Sequence, residues 1–530
     1  MAQMFIKLST QNQRLEDIGN EYFEELLSRS FFQEVEEDKR GNISFKIHGL
    51  MHDLLILIAG QESTIAGING EHIDAQTRHL SLGFHLGSLS LTTLSFQTSN
   101  LRTFLLCGQH LGEHENGLNE STCDAFVSRY KFLRVLDLHE MGIKIVPSSI
   151  GKLNHLRYLD LSNNRHIKRL PDSLSDLQDL QTLKLSGCVQ LKELPREISK
   201  LVNLVFLEID GCRGLTHMPC GLGQLTNLQT LSRFVMSKDT SSVSTHDGEL
   251  KELNRLNGEL KELNKLNDLK GMLEIINLRH GKDATLEYEA ANLKEKRHLQ
   301  ALKFRWIEDE VDEEDVVFDE TSLEALQPDP KLKFLSLYGY RGVRFPNWLS
   351  SLTNLVEFAL FGCEKWQYLL PLEQFPSLKV LELDSLPALE YISNSDEFSN
   401  FSFLPSLDEL KLKYCPNLKK LWRRRRDPMK ELNDDNDNYV EITKATTSIA
   451  ENHLLPSLRW LSKLCIQGCP QLTSMPLFPF LEKLELYYCS FRPMEQTARM
   501  AAETVAPTSS STPDTSSFAP LSKLKSLEIG

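Results

Sequence analysis

The sequence predicts an α/β fold, a solenoid of short parallel strands joined by return segments and preceded by a small helix-and-hairpin unit. Three observations carry this. The phrase Leu-x-x-Leu-x-Leu recurs almost evenly, at Leu133-Arg-Val-Leu136-Asp-Leu138, Leu156-Arg-Tyr-Leu159-Asp-Leu161, Leu180-Gln-Thr-Leu183-Lys-Leu185 and Leu204-Val-Phe-Leu207-Glu-Ile209, and begins again at Leu228, with starts 23, 24, 24 and 24 residues apart. The segments between, such as Leu170-Pro171-Asp-Ser-Leu174-Ser-Asp-Leu177, share a Leu/Val-Pro turn and a short apolar helix-like stretch. Residues 1 to about 70 lack the phrase and alternate helix and strand patterns.

A period of roughly 20 to 29 residues with this core marks a leucine-rich repeat, a horseshoe-type solenoid. Strand alternation sends Leu159 and Leu161 inward and leaves Tyr158, Asp160 and Ser162 on the open face. One strand cannot bury its leucines alone, so neighbouring coils stack and share a core. On this register Leu159→Asp is expected to destabilise strongly and Asp160→Ala to change little.

Taken in order, residues 1–75 read as the end of a winged-helix domain. Leu15, Ile18, Tyr22, Phe23, Leu26 and Leu27 fall on one helical face; Phe31–Val35 and Ile43–Ile47 read as strands around a Lys39–Asn42 turn; Leu50–Ala59 resumes an apolar helix. Residues 76–132 hold two weaker phrases, Leu80-Ser-Leu82 and Leu101–Leu106, expected to cap the solenoid edge. Residues 133–247 are the regular repeats. Residues 248–267 are a ten-residue phrase copied in tandem, Gly248–Asn257 and Gly258–Asn267, which differ only at Arg255 and Lys265. Since ten residues are not a whole coil, the extra copy is expected to be extruded. Residues 268–530 are uneven repeats with three inserts read as solvated loops: acidic Glu308–Asp319, the Arg423–Arg426 run with polar Asp434–Asn438, and Ser/Thr/Pro-rich Ala506–Ser517.

The 530-residue chain carries a net charge of -14, which argues against nucleic acid as a partner. Its longest apolar run is too short for a bilayer span and its start lacks a secretory pattern, so a cytoplasmic protein is expected. Cys188, Cys212, Cys363, Cys415, Cys469 and Cys489 each stand three residues after the last inward residue of a phrase, and Asn164 takes the same slot. They read as reduced thiols that hydrogen-bond turn carbonyls, and no metal site is expected. There is no Gly-x-Ser-x-Gly elbow or His-Glu-x-x-His helix, and Asp137 and Asp160 are open-face positions on adjacent strands, so no catalytic residue is assigned. A binding protein is expected instead. Its contact residues are read as the aromatics of the second half: Tyr338, Phe361 and Tyr487 at strand positions, with Tyr340 and Trp366 close behind.

The stretches Met1–Leu8, Leu15–Asn20, Tyr22–Gln33 and Phe45–Leu54, followed by Arg78–Leu82, Leu101–Phe104 and the repeats, resemble plant coiled-coil, nucleotide-binding, leucine-rich-repeat disease-resistance proteins from the end of their nucleotide-binding module onward. The resemblance implies a plant intracellular immune receptor fragment acting in defence by protein recognition and by regulating an ADP/ATP switch module. Its implied partners are a pathogen effector or host target and that switch module. The sequence departs from the family in having no G-x-x-x-x-G-K-[ST] loop, so no nucleotide is expected here and ADP or ATP belongs to a full-length parent. Alignment of the family's Met-His-Asp motif with Ile47-His48-Gly49 makes His48 the residue whose counterpart faces ADP in such a parent, with Gly49 replacing the aspartate. The literal Met51-His52-Asp53 is displaced from it. The alternative is a truncated stand-alone repeat scaffold without signalling activity.

Overall fold

The computed structural model describes residues 3, 6, 15–37, 43–66, 73–82, 100–106, 118–238, 257–279, 284–307, 316–369, 372–393, 406–422, 458, 460–473, 478, 480–490 and 523–530. The chain divides into two compact units, Met1–Leu269 and Lys270–Gly530.

The first unit opens with helix α1, Leu15–Ser28, and an antiparallel hairpin of Phe32–Glu37 with Ile43–Ile47. Phe23 of α1 stacks on Phe32 at 5.2 Å and meets Phe45 at 5.4 Å, and Ile18 is buried. The apolar periodicity of α1 thus packs on the hairpin, while Tyr22 and Leu26 stay exposed. Helix α2, Gly49–Ala59, is apolar almost all round and largely exposed, including Leu50, Leu57 and Ile58. Among the described residues no helix is long and apolar enough to cross a membrane.

An eight-stranded parallel sheet follows, running from Ser63–Ala66 through His79–Leu82, Thr103–Leu106, Val135–Asp137, Tyr158–Asp160, Thr182–Lys184 and Phe206–Glu208 to Thr230–Leu231. Both capping phrases are therefore full strands, and the sheet extends one strand beyond them to Ser63. Leu136, Leu159, Leu183 and Leu207 stand opposite one another and are fully buried, as alternation dictates. Each such leucine contributes about 1.5–3 kcal/mol by leaving water. Helix α3, Glu120–Arg129, is capped by Asn119, whose Oδ1 accepts from Thr122 N at 2.8 Å, and it buries Phe126 against Phe104. The return segments are 3-10 turns: Ser148–Lys152 and Asp172–Asp176 begin after Pro147 and Pro171, whose fixed φ of -69° aims the chain into the turn.

After the strands Tyr158–Asp160, Thr182–Lys184 and Phe206–Glu208 a residue with positive φ bends the chain inward. Glycine serves at Gly187 and Gly211, with φ +76° and +68°, and Asn163 takes the position at φ +61°. The next residue drops into the interior, and this is the shared slot. Asn164 Nδ2 donates to the carbonyls of Leu138 and Leu161 at 2.9 and 2.8 Å, and its Oδ1 accepts from Ile143 N at 2.9 Å. Cys188 and Cys212 repeat part of this, with Sγ at 3.2 Å from Leu161 O and 3.1 Å from Leu185 O. Burial pushes the Cys188 thiol up to about 12 and the Cys212 thiol up to about 11, so both remain protonated donors.

One copy of the duplicated phrase is seated in the coil: in the second copy Leu260–Lys265 is a 3-10 turn with Leu260, Leu263 and Leu266 fully buried, because Leu-x-x-Leu-x-x-Leu matches the return-segment pattern. Residues 248–256 of the first copy lie outside the described residues.

The second unit carries parallel strands at Lys270–Leu278, His298–Trp306, Phe334–Tyr338, Glu357–Phe361, Val380–Asp384, Glu409–Lys413, Lys463–Gln467, Lys483–Tyr487 and Ser526–Ile529, paired in that order. Helices α4, Ala284–Glu289, and α5, Val316–Ala325, serve as return segments. The stretch Glu308–Asp319, read as one solvated loop, enters α5 at Val316, and Asp319 is fully buried. The Arg423–Arg426 run, Asp434–Asn438 and Ala506–Ser517 lie outside the described residues.

Candidate functional site

The open face of the second unit is set by strand register. In Phe334–Tyr338 the inward Leu335 and Leu337 are buried, which turns Phe334, Ser336 and Tyr338 outward. Pairing then aligns three rows across the coils. One row runs Arg305, Tyr338, Phe361, Asp384, Lys413, Gln467, Tyr487. The middle row begins Lys303, Ser336, Ala359, Glu382, Lys411.

Tyr338 and Phe361 lie face to face, ring centroids 4.3 Å apart with planes 5° from parallel. The Arg305 guanidinium sits 4.0 Å from the Tyr338 ring centroid and 3.5 Å from Glu274. Cation, ring and ring form one stack along three rungs, fixed by backbone pairing before any partner arrives. Burial raises the Tyr338 hydroxyl above its usual pKa, so it stays a hydrogen-bond donor. Beside the stack the middle row is small, Ser336 and Ala359, and beyond it stands Phe334. Small side chains between larger ones make a shallow trough, walled on one side by the stack and on the other by Phe334 and Glu357.

Next along the sheet the face is charged. Glu382 receives Lys413 at 2.8 Å and Lys411 at 3.7 Å, and Lys411 also reaches Glu409 at 3.0 Å. Tyr487 is four rungs from Phe361, about 19 Å at the usual strand spacing. Its hydroxyl donates to Glu528 Oε2 at 2.7 Å. The structure thus joins Tyr338 to Phe361 and leaves Tyr487 separate.

Tyr340 and Trp366 are corrected: both are buried, at 0% and 1% exposure, and belong to the interior. Tyr340 stands three residues after Leu337, the slot held by cysteine in other coils, and its hydroxyl donates to Arg344 O at 3.0 Å. Trp366 takes the apolar position held by Leu191 and Leu215 elsewhere and meets Tyr340 at 5.4 Å. Both placements follow from phrase spacing. Arg305 was missed, although it follows the inward Phe304 as Tyr338 follows Leu337.

His48 is the N-cap of α2, its Nδ1 accepting from Leu50 N at 3.2 Å. His52 faces its neighbour Asp53 at 3.3 Å on the surface. Asp137 and Asp160 are nearly buried and fasten turns: Asp137 Oδ1 takes His139 Nδ1 at 2.6 Å, and Asp160 takes Ser162 N at 2.8 Å and Tyr158 OH at 3.1 Å. Among the described residues no group of His, Cys, Asp or Glu side chains is arranged to hold a metal ion.

Family models match at residues 1–55 for the disease resistance protein winged helix domain, at 131–189 for a leucine rich repeat, and at 260–386 for the R13L1/DRL21 leucine-rich repeats. RGA1 of Solanum bulbocastanum, named for disease resistance, is 40% identical over 424 residues, 79% of this chain and 37% of that protein. RGA4 of the same species, similarly named, is 35% identical over 474 residues, 88% of this chain and 42% of that protein. An RPP13-like disease resistance protein of Arabidopsis thaliana is 33% identical over 512 residues, 92% of this chain and 44% of that protein. The chain therefore spans well under half the length of these relatives. Among solved structures, a leucine-rich-repeat protein of Leptospira interrogans aligns at TM-score 0.44 and 19% identity over 80% of this chain and 94% of that one.

Proposed function

Starting from a chain that is one of the plant disease-resistance proteins joining a winged-helix domain to leucine-rich repeats, we propose that it serves as the recognition part of an intracellular immune receptor. It binds a protein, an effector or a host target, and conducts no catalysis of its own. Binding is coupled in a longer parent to an ADP/ATP switch, toward which His48 and the α2 face belong.

The observation that carries this reading is the Arg305–Tyr338–Phe361 stack on the open face. Tyrosine and arginine are favoured anchors in protein interfaces, and a stack ordered by the sheet loses little freedom on binding. The test compares plant proteins labelled in the neighbourhood of the wild-type chain and of a Tyr338→Ala/Phe361→Ala variant expressed in leaf tissue, beside thermal melts of both. Loss of a labelled protein with an unchanged melt supports the reading. An identical labelled set with an intact melt places recognition elsewhere and overturns it.

A further inference from the structure

The second unit carries a further exposed aromatic feature, separate from the Tyr338–Phe361 stack. We propose that Tyr414 and Tyr488 form a docking rim for a proline-rich segment of a protein partner, an extended stretch with prolines three residues apart and a basic residue beside the first.

The rim is the position just after each strand, where the chain takes a positive φ. Gly339, Gly362, Ser385, Tyr414, Gly468 and Tyr488 occupy it on successive coils, with φ from +50° to +70°. Backbone bonds tie each member to the strand end of the next coil. Ser385 N donates to Lys413 O at 2.9 Å, Tyr414 N to Gln467 O at 2.7 Å and Gly468 N to Tyr487 O at 2.8 Å. Tyr414 and Tyr488 therefore stand two rungs apart, with Gly468 between them.

A left-handed conformation is costly for a bulky L side chain and open to glycine, so the fold alone favours glycine along the whole row. At two coils the sequence places a tyrosine instead, and neither ring is taken up by the core: Tyr414 is 51% exposed and Tyr488 77%. Strain held at an exposed aromatic is a mark of function. Tyr414 is also held in position. Its ring lies against Gly468, where an added Cβ would come within 2.9 Å of Cδ1, and its hydroxyl accepts from Gln467 Nε2 at 2.7 Å. That hydroxyl keeps its own proton for a further acceptor.

Spacing and charge select the occupant. Two rungs span about 9.6 Å. A polyproline II segment advances about 9.3 Å in its three-residue turn, so prolines at i and i+3 fall on one side at the same interval. Such segments dock on aromatic-lined surfaces, arrive already extended, and leave their carbonyls free to accept from tyrosine hydroxyls. On the strand row beside the rim, Asp384 stands one rung before Lys413. Its carboxylate accepts from Ser385 Oγ at 2.8 Å and has no Lys or Arg within ion-pairing distance among the described residues, while Lys413 is taken by Glu382 at 2.8 Å. A carboxylate left without a cation one rung from Tyr414 selects a basic residue beside the first proline, and a net charge of -14 favours the same partner.

The test uses the full chain and a fluorescein-labelled peptide containing Arg-Ala-Pro-Ala-Leu-Pro, read by anisotropy. Control peptides carry alanine at both prolines or glutamine at the arginine. Expected is binding of the first peptide, at least tenfold weaker binding of the alanine peptide, and at least threefold weaker binding of the glutamine peptide, a difference that disappears in Asp384→Asn. Tyr414→Gly/Tyr488→Gly is expected to weaken binding at least tenfold with an unchanged melt, because glycine fits the left-handed position. Should the double variant melt lower, Tyr488→Gly, which removes the more exposed ring, is read in its place and is expected to weaken binding at least fivefold with an intact melt. Unchanged affinity in these variants overturns the proposal, and a lowered melt in both shows the rings to be structural and overturns it as well. Equal binding of the alanine peptide, or no binding of any peptide by the parent, does the same. Tyr338→Ala/Phe361→Ala is expected to bind the peptide as the parent does; loss there with an intact melt removes the site from the rim. A chain that dimerises through Tyr488 without binding peptide would assign the rim to a second copy and equally overturn the proposal.

Discussion

Asn164 and Cys188 hold the same position one coil apart, yet Asn164 closes three buried hydrogen bonds and Cys188 closes one with its thiol. The slot is the point where each coil is tied to the one before it. An amide supplies donor and acceptor together, whereas a thiol supplies a single weak donor.

Asn164→Ala is therefore expected to cost roughly 3 kcal/mol or more, since each buried group left unpaired costs about 1–3 kcal/mol. Cys188→Ala is expected to cost about 1 kcal/mol or slightly more, for one weak bond and a small void. Urea unfolding of the two variants measures this. Equal costs would show that packing, not hydrogen bonding, decides the slot.

Leu159→Asp and Asp160→Ala separate the two faces of one strand, with a revision to the expectation from sequence. Leu159 is fully buried, so an aspartate there costs several kcal/mol. Asp160 is no free surface residue: it holds Ser162 N and Tyr158 OH. Its alanine variant is expected to lose about 1 kcal/mol while leaving the register intact. Melting shifts of similar size would refute the assigned alternation.

His139 gives a pH signature. Its hydrogen bond to Asp137 raises its pKa against the opposing effect of burial. A histidine whose folded pKa lies above the unfolded value adds stability that is complete below about pH 6.5 and fades as pH rises through the folded value. The stability gap between wild type and His139→Ala is thus expected to be largest near pH 5.5 and smaller at pH 8. A gap that widens with pH would contradict the His139–Asp137 pairing.

What could be read from the chain beforehand was whatever depends on short spacing. Leu159 and Leu161 inward, Cys188 and Asn164 in one slot, and the Phe23 face of α1 all follow from a period of two, of 3.6 or of one coil. Tyr340 and Trp366 were legible by the same rule, three residues after Leu337 and after Cys363, but their aromatic character drew attention away from their position. The stack of Arg305 on Tyr338 was harder, because it needs the register between coils of unequal length. Lys413 pairs with Gln467 across 54 positions of sequence, and no local pattern announces such a partner.

The tandem copy tests how a repeat chooses its residues. Glu262 of the second copy accepts from Gly221 N at 3.1 Å and Gly223 N at 2.7 Å, while Leu263 beside it is fully buried. Deleting either copy yields almost the same sequence, since Gly248–Asn257 and Gly258–Asn267 differ only at Arg255 and Lys265. Deletion therefore cannot tell which copy fills the coil, and point changes are needed. Leu263→Asp is expected to destabilise by several kcal/mol, because a charge is costly where it is buried. Glu262→Ala is expected to cost about 1–2 kcal/mol for two unpaired amides. A Leu263→Asp variant that melts like the wild type would show that the second copy does not fill the coil.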